Sequence, residues 1–216
     1  MADRVNPPKR RYSSPRRQEQ AAATASLVLD AAQRLFEAHG YPPTTMAAIA
    51  GEAGVALKTV YLAFETKSKL LRTLWDVRLR GFADIPVADQ PWYREVVEEP
   101  DPRRQLALNA RNSTVVKKRV GALTRVIRDA APADPDLAAL WQLINTDFHA
   151  NQGVIVRSLH DRQALRPGLD VERATDLLWM LVHPDLWHLL VGGRGWTAEQ
   201  YQEWLTATSI EQLLRA

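Results

Sequence analysis

Apolar residues recur at helical spacing along most of the chain, and the breaks between these runs divide it into predicted helices. In residues 24–39 the apolar positions fall three or four residues apart, and Gly40 follows where a helix normally ends. Two short apolar runs begin near residues 44–45 and near Ala56, on either side of Gly54, which tolerates the positive φ of a tight turn. The pattern predicts three helices, and the last two have the spacing of a helix-turn-helix.

The helical pattern continues to the C-terminus, and no segment requires a β-strand. Pro184 lacks an amide donor, so the penultimate helix is expected to kink or divide between Leu181 and Trp187. Thr197 and Gln200 have the spacing of a capping box at the start of the last helix. The expected fold class is all-α with nine helices. The six helices after the first three are predicted over residues 66–82, 102–118, 120–131, 135–162, 171–191 and 198–214, with a long proline-punctuated loop over residues 84–102.

Charge is distributed unevenly along the chain. Residues 1–80 contain 13 Lys/Arg and 7 Asp/Glu, whereas residues 81–216 contain 15 and 18. Residues 1–20 combine basic residues with prolines and serines and lack a hydrophobic period, so they are predicted to form a disordered basic arm. This asymmetry is typical of a polyanion-binding end, although solvated basic surfaces are also common.

Composition narrows the possible compartments and classes. The chain has no cysteine, which excludes structural disulfides and thiolate metal sites. Its N-terminus lacks the apolar run of a signal peptide, and no apolar run approaches the roughly 18 residues that span a bilayer. We therefore expect a cytoplasmic, nucleoid-associated protein with no membrane partner.

The second helix of the helix-turn-helix is the candidate for reading DNA. Its apolar positions Val60 and Phe64 are predicted to face the core. Lys58 and Thr59 lie in its first turn, which is the part of a recognition helix that reaches base edges in the major groove. The alternative is that Lys58 and Thr59 are ordinary solvent-exposed side chains with no DNA-binding role. The helix-turn-helix spacing makes this alternative less favoured. The predicted outer surface consists of Leu57, Lys58, Thr59, Tyr61 and Leu62.

Residues 28–71, "VLDAAQRLFEAHGYPPTTMAAIAGEAGVALKTVYLAFETKSKLL", resemble the DNA-binding head of the tetracycline-repressor (TetR) family of bacterial transcription regulators. The resemblance implies a head over residues 21–66 and a C-terminal effector-binding and dimerisation domain over residues 67–216. The landmarks that carry it are Ala31-Ala32, Leu35-Phe36, Gly40-Tyr41, Thr44-Thr45, Ile49-Ala50, Ala53-Gly54-Val55, Thr59, Tyr61, Phe64, Lys67 and Leu70.

The resemblance also implies roles for individual residues. Residues 56–59 would face bases, while Thr45, Tyr61 and Lys67 would contact phosphates. The implied DNA-binding set is Thr44, Thr45, Ala56, Leu57, Lys58, Thr59, Tyr61 and Lys67.

This chain departs from the family pattern at several head positions. Ala56 stands where the family often has a capping serine, a loss of about 0.5–2 kcal/mol of local stability. Ala25 replaces a common arginine, for which Arg16 and Arg17 of the arm could substitute. Leu57 and Leu62 make the surface unusually apolar, and a thymine methyl would be a suitable contact.

The C-terminal part supplies candidate residues for a dimer and for a ligand pocket. In the family, the last two helices pair with their copies, although the same apolar stripes could instead close the protomer's own core. Aromatic residues on the inner helices indicate a cavity for a small hydrophobic effector, or else simply fill volume. The predicted interface residues are Leu178, Leu181, Trp187, Tyr201, Trp204 and Leu205, and the predicted pocket residues are Trp75, Trp141, Phe148, Trp179 and His183.

The expected function is that of a ligand-responsive regulator, with repression as the commoner mode in the family, which binds palindromic double-stranded operator DNA as a homodimer. We expect no enzyme activity, metal or cofactor. No two of the five histidines are spaced i, i+4, and "GGRG" at 192–195 lacks the strand, lysine and hydroxyl of a phosphate loop. The alternative is a helical small-molecule-binding or adaptor protein that does not bind specific DNA.

Overall fold

The computed structural model describes residues 15–80, 85 and 87–215, apart from the side chains of residues 15–17 and 88. These residues form helices joined by short turns, and within them the only β-type pairing is one isolated bridge between Leu165 and Leu214. The all-α fold class is therefore confirmed. No single helix in the described ranges is long and apolar enough to span a membrane, although the bent pair 46–53 and 57–64 passes that test by length and composition together.

Ten α-helices occupy the described chain, nine of them with eight residues or more. A π-helix over His188–Gly193 extends the shortest one, and two 3-10 turns cover Val87–Asp89 and Ala131–Ala133. The α-helices are α1 Pro15–His39, α2 Met46–Ala53, α3 Leu57–Phe64, α4 Lys67–Arg80, α5 Pro91–Glu98, α6 Pro102–Ala130, α7 Pro135–Asp161, α8 Val171–Leu181, α9 Pro184–Trp187 and α10 Ala198–Leu213.

Several predicted boundaries were wrong although the number of long helices was right. The predicted helices 102–118 and 120–131 are one helix, α6, because Gly121 is buried inside a continuous helix and does not end it. The loop over 84–102 contains α5, which was not predicted. Helix α1 begins at Pro15, so it takes up the last six residues of the predicted arm; residues 1–14 lie outside the described part.

Local chemistry explains where the helices begin and end. The carboxylates of Asp101, Asp134 and Asp170 each accept hydrogen bonds from amides in the first turn of the helix that follows. The predicted capping box is confirmed: the Gln200 amide donates to Thr197 Oγ1 at 3.1 Å, and the Thr197 amide donates to Gln200 Oε1 at 2.8 Å. The predicted break at Pro184 is also confirmed, because α8 ends at Leu181 and α9 begins at the proline.

Two hydrophobic cores stabilise the molecule, and helices α6 and α7 belong to both. The proximal core joins α1 to α4 with the C-terminal half of α6 and the start of α7. The distal core joins α5, α8 and α10 with the remaining halves of α6 and α7. Because the two cores share their longest helices, a change in the distal part can reach the helix-turn-helix through rigid elements.

Candidate nucleic-acid interface and ligand cavity

The turn between α2 and α3 has the geometry of a helix-turn-helix. The two helices are bent by 112° relative to each other. Gly54 ends α2 with φ of 67°, a left-handed conformation that suits glycine, and the Val55 amide donates to the Ala50 carbonyl at 3.0 Å. At the other end of α2, Thr45 Oγ1 accepts from the Ala48 amide at 3.1 Å. Thr45 thus caps α2 and remains exposed beside α3.

The two buried side chains of α3 are the ones that the sequence predicted. Val60 and Phe64 are buried, which leaves the opposite face of this helix for solvent. Leu62 is 76% exposed and Lys58, one turn earlier, is also exposed. Ala56 begins the helix without any side-chain cap, as expected from its missing hydroxyl.

The remaining members of the predicted outer surface flank that face. Tyr61 and Leu57 are exposed on one side of it. Thr59 is half-buried on the other side, where it lines a shallow groove against the first half of α1 together with Leu62 and Ala63. The predicted pair is therefore split, with Lys58 freely presented and Thr59 partly covered by α1.

Two predicted DNA contacts have structural roles instead. Thr44 is buried, and its hydroxyl donates to the carbonyl of Gly40 at 2.8 Å, so it fastens the end of α1 and cannot reach DNA. Lys67 Nζ donates to the carbonyls of Tyr41 at 2.8 Å, Thr44 at 2.9 Å and Pro42 at 3.4 Å. Because an ammonium has three donors, this arrangement leaves none for a phosphate. Partial burial lowers the pKa of Lys67, and nearby Asp134 opposes that shift.

A pair of hydrogen bonds, which we name the latch, joins the head to the start of α7. Tyr41 Oη donates to Asp134 Oδ2 at 2.8 Å, and Ser68 Oγ donates to Asp136 Oδ2 at 2.8 Å. Burial, with Asp134 as hydrogen-bond acceptor, raises the pKa of the Tyr41 phenol, so this hydroxyl keeps its proton at neutral pH. The latch ties the turn before α2 and the first turn of α4 to one end of a helix that reaches the cavity.

A partly enclosed cavity of about 310 Å³ lies between the two cores, with walls from α4, α5, α6 and α7. A wider groove of about 590 Å³ at the α7–α8 turn is open to solvent and is lined mainly by exposed residues. The partly enclosed cavity is the better candidate for a small ligand, since it can remove more of a ligand's surface from water than the open groove can. It is lined by Trp75, Leu79, Arg80, Val87, Trp92, Tyr93, Val96, Asn109, Asn112, Ser113, Val116, Ile144, Asp147, Phe148, Ala150, Asn151, Gln152 and Val182.

One wall of this cavity carries buried polar side chains that also hold the helices together. Asn109 Nδ2 on α6 donates to Gln152 Oε1 on α7 at 3.0 Å. Asn112 Nδ2 donates to the Trp92 carbonyl on α5 at 2.6 Å. Each amide keeps further hydrogen-bonding capacity beyond these contacts, so the wall can bind a polar group of a ligand.

The predicted pocket residues are divided between two places. Trp75 and Phe148 line the cavity as predicted. Trp141, Trp179 and His183 do not; they form an aromatic cluster beside it, in which the His183 ring centroid lies 5.0 Å from that of Trp179 and 6.2 Å from that of Trp141. Their packing is edge-to-face, which leaves little open volume between the rings.

The predicted dimer residues lie mostly inside the protomer. Leu178, Leu181, Tyr201 and Leu205 are at most 4% exposed and belong to the distal core. Trp187 and Trp204 are half-buried and pack against the Tyr201 ring, with ring centroids 5.1 and 5.7 Å away. The apolar stripes of α8 and α10 therefore close the protomer's own core, which corrects the prediction that they face a second subunit.

Sequence reasoning missed the polar cavity wall and the helix α5, which forms part of the cavity lining. A signal for α5 was present, because Pro91 occupies a first helical position and Tyr93 and Val96 recur three residues apart. The polar wall could have been predicted from the apolar face of α6, which is interrupted by Asn109, Asn112 and Lys117. Among the described residues no group of three or more His, Asp or Glu side chains could hold a metal ion.

Comparison with known proteins bears directly on the head. The family model described as "Bacterial regulatory proteins, tetR family" matches residues 28–74, which span the second half of α1, all of α2 and α3, and the first half of α4. The DNA-binding head of this chain is therefore similar to that of the TetR family. The chain has the DNA-binding head of a transcriptional regulator, and its named relatives are transcriptional regulators too.

Three further matches extend over most of the chain. It is 27% identical over 173 residues to the probable HTH-type transcriptional regulator ArpR of Pseudomonas putida, covering 77% of this chain and 80% of the relative. NalD, the secondary repressor of the MexAB-OprM multidrug efflux pump in Pseudomonas aeruginosa, superposes with a TM-score of 0.68 at 22% identity, covering 91% of this chain and 98% of NalD. The SmeT–triclosan complex gives a TM-score of 0.67 at 20% identity, covering 89% and 92%.

Proposed function

We propose that this regulator is a ligand-responsive repressor, which binds a palindromic operator as a homodimer through α3 and releases it when a small hydrophobic molecule fills the cavity between α4 and α7. Such a protein acts on the nucleoid in the cytoplasm. The observation that carries the proposal is that helix α4 connects the two sites. It begins at Lys67, directly after the helix-turn-helix, and ends at Leu79 and Arg80, which line the cavity.

Base reading is assigned to the outer face of α3, with Lys58 as its central polar group. Lys58 and Leu62 are one turn apart and both exposed, so they would enter the major groove together. Tyr61 and the α2 cap Thr45 are the exposed candidates for phosphate contacts. Lys67 and Thr44 leave this set because the protein itself occupies their polar groups.

The cavity supports an effector by its size, its mixed lining and its place between the cores. Its volume of about 310 Å³ is at the lower end of the roughly 300–1,000 Å³ of small-molecule pockets. The name of the SmeT complex records a small molecule, triclosan, bound to a protein of the same fold. NalD is named as a repressor of an efflux pump, which supports repression as the mode of action here.

Release would follow from a change in spacing between α4 and α7. A ligand that prefers a wider or narrower cavity stabilises a different position of α4, and the latch passes that change to the turn before α2. A coupling of about 1–3 kcal/mol changes operator affinity by about 5- to 150-fold.

A homodimer is needed to hold two recognition helices one helical turn of DNA apart. Since the inner stripes of α8 and α10 are buried, the outward faces of these helices are the candidates for pairing. Met180 is 47% exposed on α8 and Leu177 is half-buried beside it. On α10, Ala207 is exposed and Ile210 is half-buried.

A footprint on the DNA next to the chain's own coding region tests the proposal. Wild-type protein should protect a palindromic site, and its affinity should fall steeply with salt. Lys58→Ala should abolish discrimination between this site and random DNA, whereas Lys118→Ala removes the same charge from α6 and should leave it unchanged. Protection that hydrophobic ligands relieve supports the regulator. Ligand binding without any specific footprint favours a helical small-molecule-binding protein instead.

A further inference from the structure

Lys117 is a buried lysine that the proposed function does not use. It lies on α6 at 5% exposure and packs against α10, where its Nζ is 5.6 Å from the centroid of the Tyr201 ring. Its one hydrogen bond goes to Ser113 Oγ, one turn earlier on the same helix. Among the described residues no carboxylate lies within ion-pair distance of this nitrogen.

A buried ammonium without a carboxylate partner is costly, because burial removes its hydration and a single hydrogen bond to a neutral hydroxyl returns only part of the lost free energy. Burial lowers the pKa of Lys117 to about 7, so the protein relieves part of this cost by releasing the proton near neutral pH. The neighbouring Lys118 faces outward and pairs with Glu199 at 3.2 Å. The two adjacent lysines of α6 therefore differ, because Lys118 pairs with a carboxylate of α10 and Lys117 has no carboxylate partner among the described residues.

The position of Ser113 connects Lys117 to the cavity. Ser113 is one of the cavity-lining residues, and it lies on the same wall as Asn109 and Asn112. Because Lys117 donates to the Ser113 oxygen, the Ser113 hydroxyl hydrogen is available for a different acceptor. A hydroxyl that is backed by an ammonium is a strong donor, and its preferred acceptor carries negative charge.

We propose that the cavity binds an amphipathic ligand with one acidic group, a carboxylate, sulfonate or phenolate, which accepts a hydrogen bond from Ser113 Oγ with the Lys117 ammonium behind it. This inference rests on the proposed effector cavity and names the chemical class that it takes. Lys117 is a positioning residue, since it acts through Ser113.

Binding of the acidic ligand leaves Lys117 protonated, whichever form of the ligand enters the cavity. A ligand that enters as a neutral acid gives its proton to the Lys117 amine, so the complex contains an anion and an ammonium. A ligand that enters as an anion is accompanied by a proton taken from solvent when Lys117 was neutral. In both cases the buried cation gains the partner that it lacks in the empty protein.

Two fluorescent probes with the same ring system test the proposal: anilinonaphthalene sulfonate, which is an anion, and its uncharged parent phenylnaphthylamine. Wild-type protein should bind both. Lys117→Met should weaken the sulfonate by about tenfold or more, the amount expected for a charge-assisted hydrogen bond, and leave phenylnaphthylamine within about twofold. Lys118→Met is the matched control and should change neither probe.

Proton uptake provides a readout that a merely structural role would not change. Calorimetry at pH 8 in two buffers with different ionisation heats should show uptake when wild type binds the sulfonate, and none in Lys117→Met. The other ionisable groups that face Lys117 or the cavity are His183, Tyr201, Arg80, Asp147 and Tyr93, and burial raises the pKa of the Tyr93 phenol, so that it is neutral at pH 8. Burial lowers the pKa of His183 and raises that of Tyr201, so both are neutral at pH 8 and neither takes up the proton.

The outcomes separate this inference from the function on which it rests. Equal losses for both probes in Lys117→Met, or unchanged binding of the sulfonate, would overturn the assignment of Lys117 and leave the cavity as a site for neutral ligands. Failure of wild type to bind either probe would overturn the cavity itself. Ser113→Ala gives an independent variant, which should lose the sulfonate preference while Lys117 remains in place.

Discussion

The outer face of α3 and the inner face of α6 show opposite departures from the usual distribution of polarity. On α3, the apolar side chains of Leu57 and Leu62 are exposed to solvent. On α6, Asn109, Asn112 and Lys117 are buried. Single exposed apolar residues are common, but several on one eight-residue helix, like three buried polar residues on one helix face, indicate surfaces shaped for a partner.

The difference between these regions lies in what supports the side chains. The outward residues of α3 contact little of the protein, so their removal should affect DNA binding and not folding. The polar residues of α6 hold α5 and α7 in place, as Asn112 and Asn109 do through their amides. Changes there should affect ligand binding and stability together.

The largest expected effect contrasts the inside and the outside of the head. Phe36→Ala should lower the free energy of unfolding by about 3–5 kcal/mol, because Phe36 is 0% exposed and its ring stacks 5.9 Å from that of Tyr41. Leu62→Ala, at a 76% exposed position, should change stability by no more than about 0.5 kcal/mol and still weaken operator binding. Denaturant unfolding and a binding titration measure the two quantities. A large loss of stability in Leu62→Ala would show that the outer face of α3 has a structural role.

The second effect is a pH dependence that belongs to the inner face of α6. The pKa of Lys117 is about 7 in the folded protein and 10.5 for an ordinary lysine, so between these values the unfolded chain binds more protons. The free energy of unfolding should therefore rise with pH in this window, by up to about 1.4 kcal/mol per pH unit from this group, and level off below pH 7.

Unfolding curves between pH 7 and 9.5 test this slope in the absence of ligand. Lys117→Met should remove the rise, whereas Lys118→Met should retain it, because Lys118 is exposed and ion-paired. The same slope in wild type and Lys117→Met would mean that Lys117 keeps its proton throughout, and would contradict its assignment as an unpaired buried group.

An intermediate effect concerns the latch that joins the two regions. Tyr41→Phe removes the donor to Asp134 Oδ2 and should lower the free energy of unfolding by about 1–2 kcal/mol. It should also reduce ligand-induced release of DNA, since the head and α7 would move more independently. Tyr61→Phe removes a similar hydroxyl from the exposed face of α3 and serves as the control for stability. Full release by ligand in Tyr41→Phe would exclude the latch from the coupling.

The smallest expected effect is a gain. Ala56 has φ of −66° and ψ of 140°, an extended conformation that suits a capping residue, and it lacks a hydroxyl. Ala56→Ser should raise the free energy of unfolding by about 0.5–1 kcal/mol. Thermal unfolding measures it, with Ala63→Ser, at an exposed position inside the same helix, as the matched control. No difference between these variants would show that α3 is held by packing alone.

The head could be predicted more fully than the cavity. Gly54, Val60 and Phe64 depend on neighbours within a few residues of sequence, so their turn and their burial followed from local patterns. The role of Lys67 could not be predicted, because its acceptors lie 23 to 26 residues away in the turn before α2. The cavity depends on four helices, one of which, α5, lies in a segment that the sequence predicts as a loop because prolines surround it.

By itself the sequence determined which segments form helices, how the helix-turn-helix turns and which face of α3 is presented, since periodicity, capping and glycine conformation act over short distances. Tertiary structure alone decided that the stripes of α8 and α10 close the protomer's core and that Lys117 has no acidic partner. Burial and charge pairing depend on what the rest of the chain places next to a residue, and apolar spacing is the same whether the neighbour is another helix of the protomer or a second subunit.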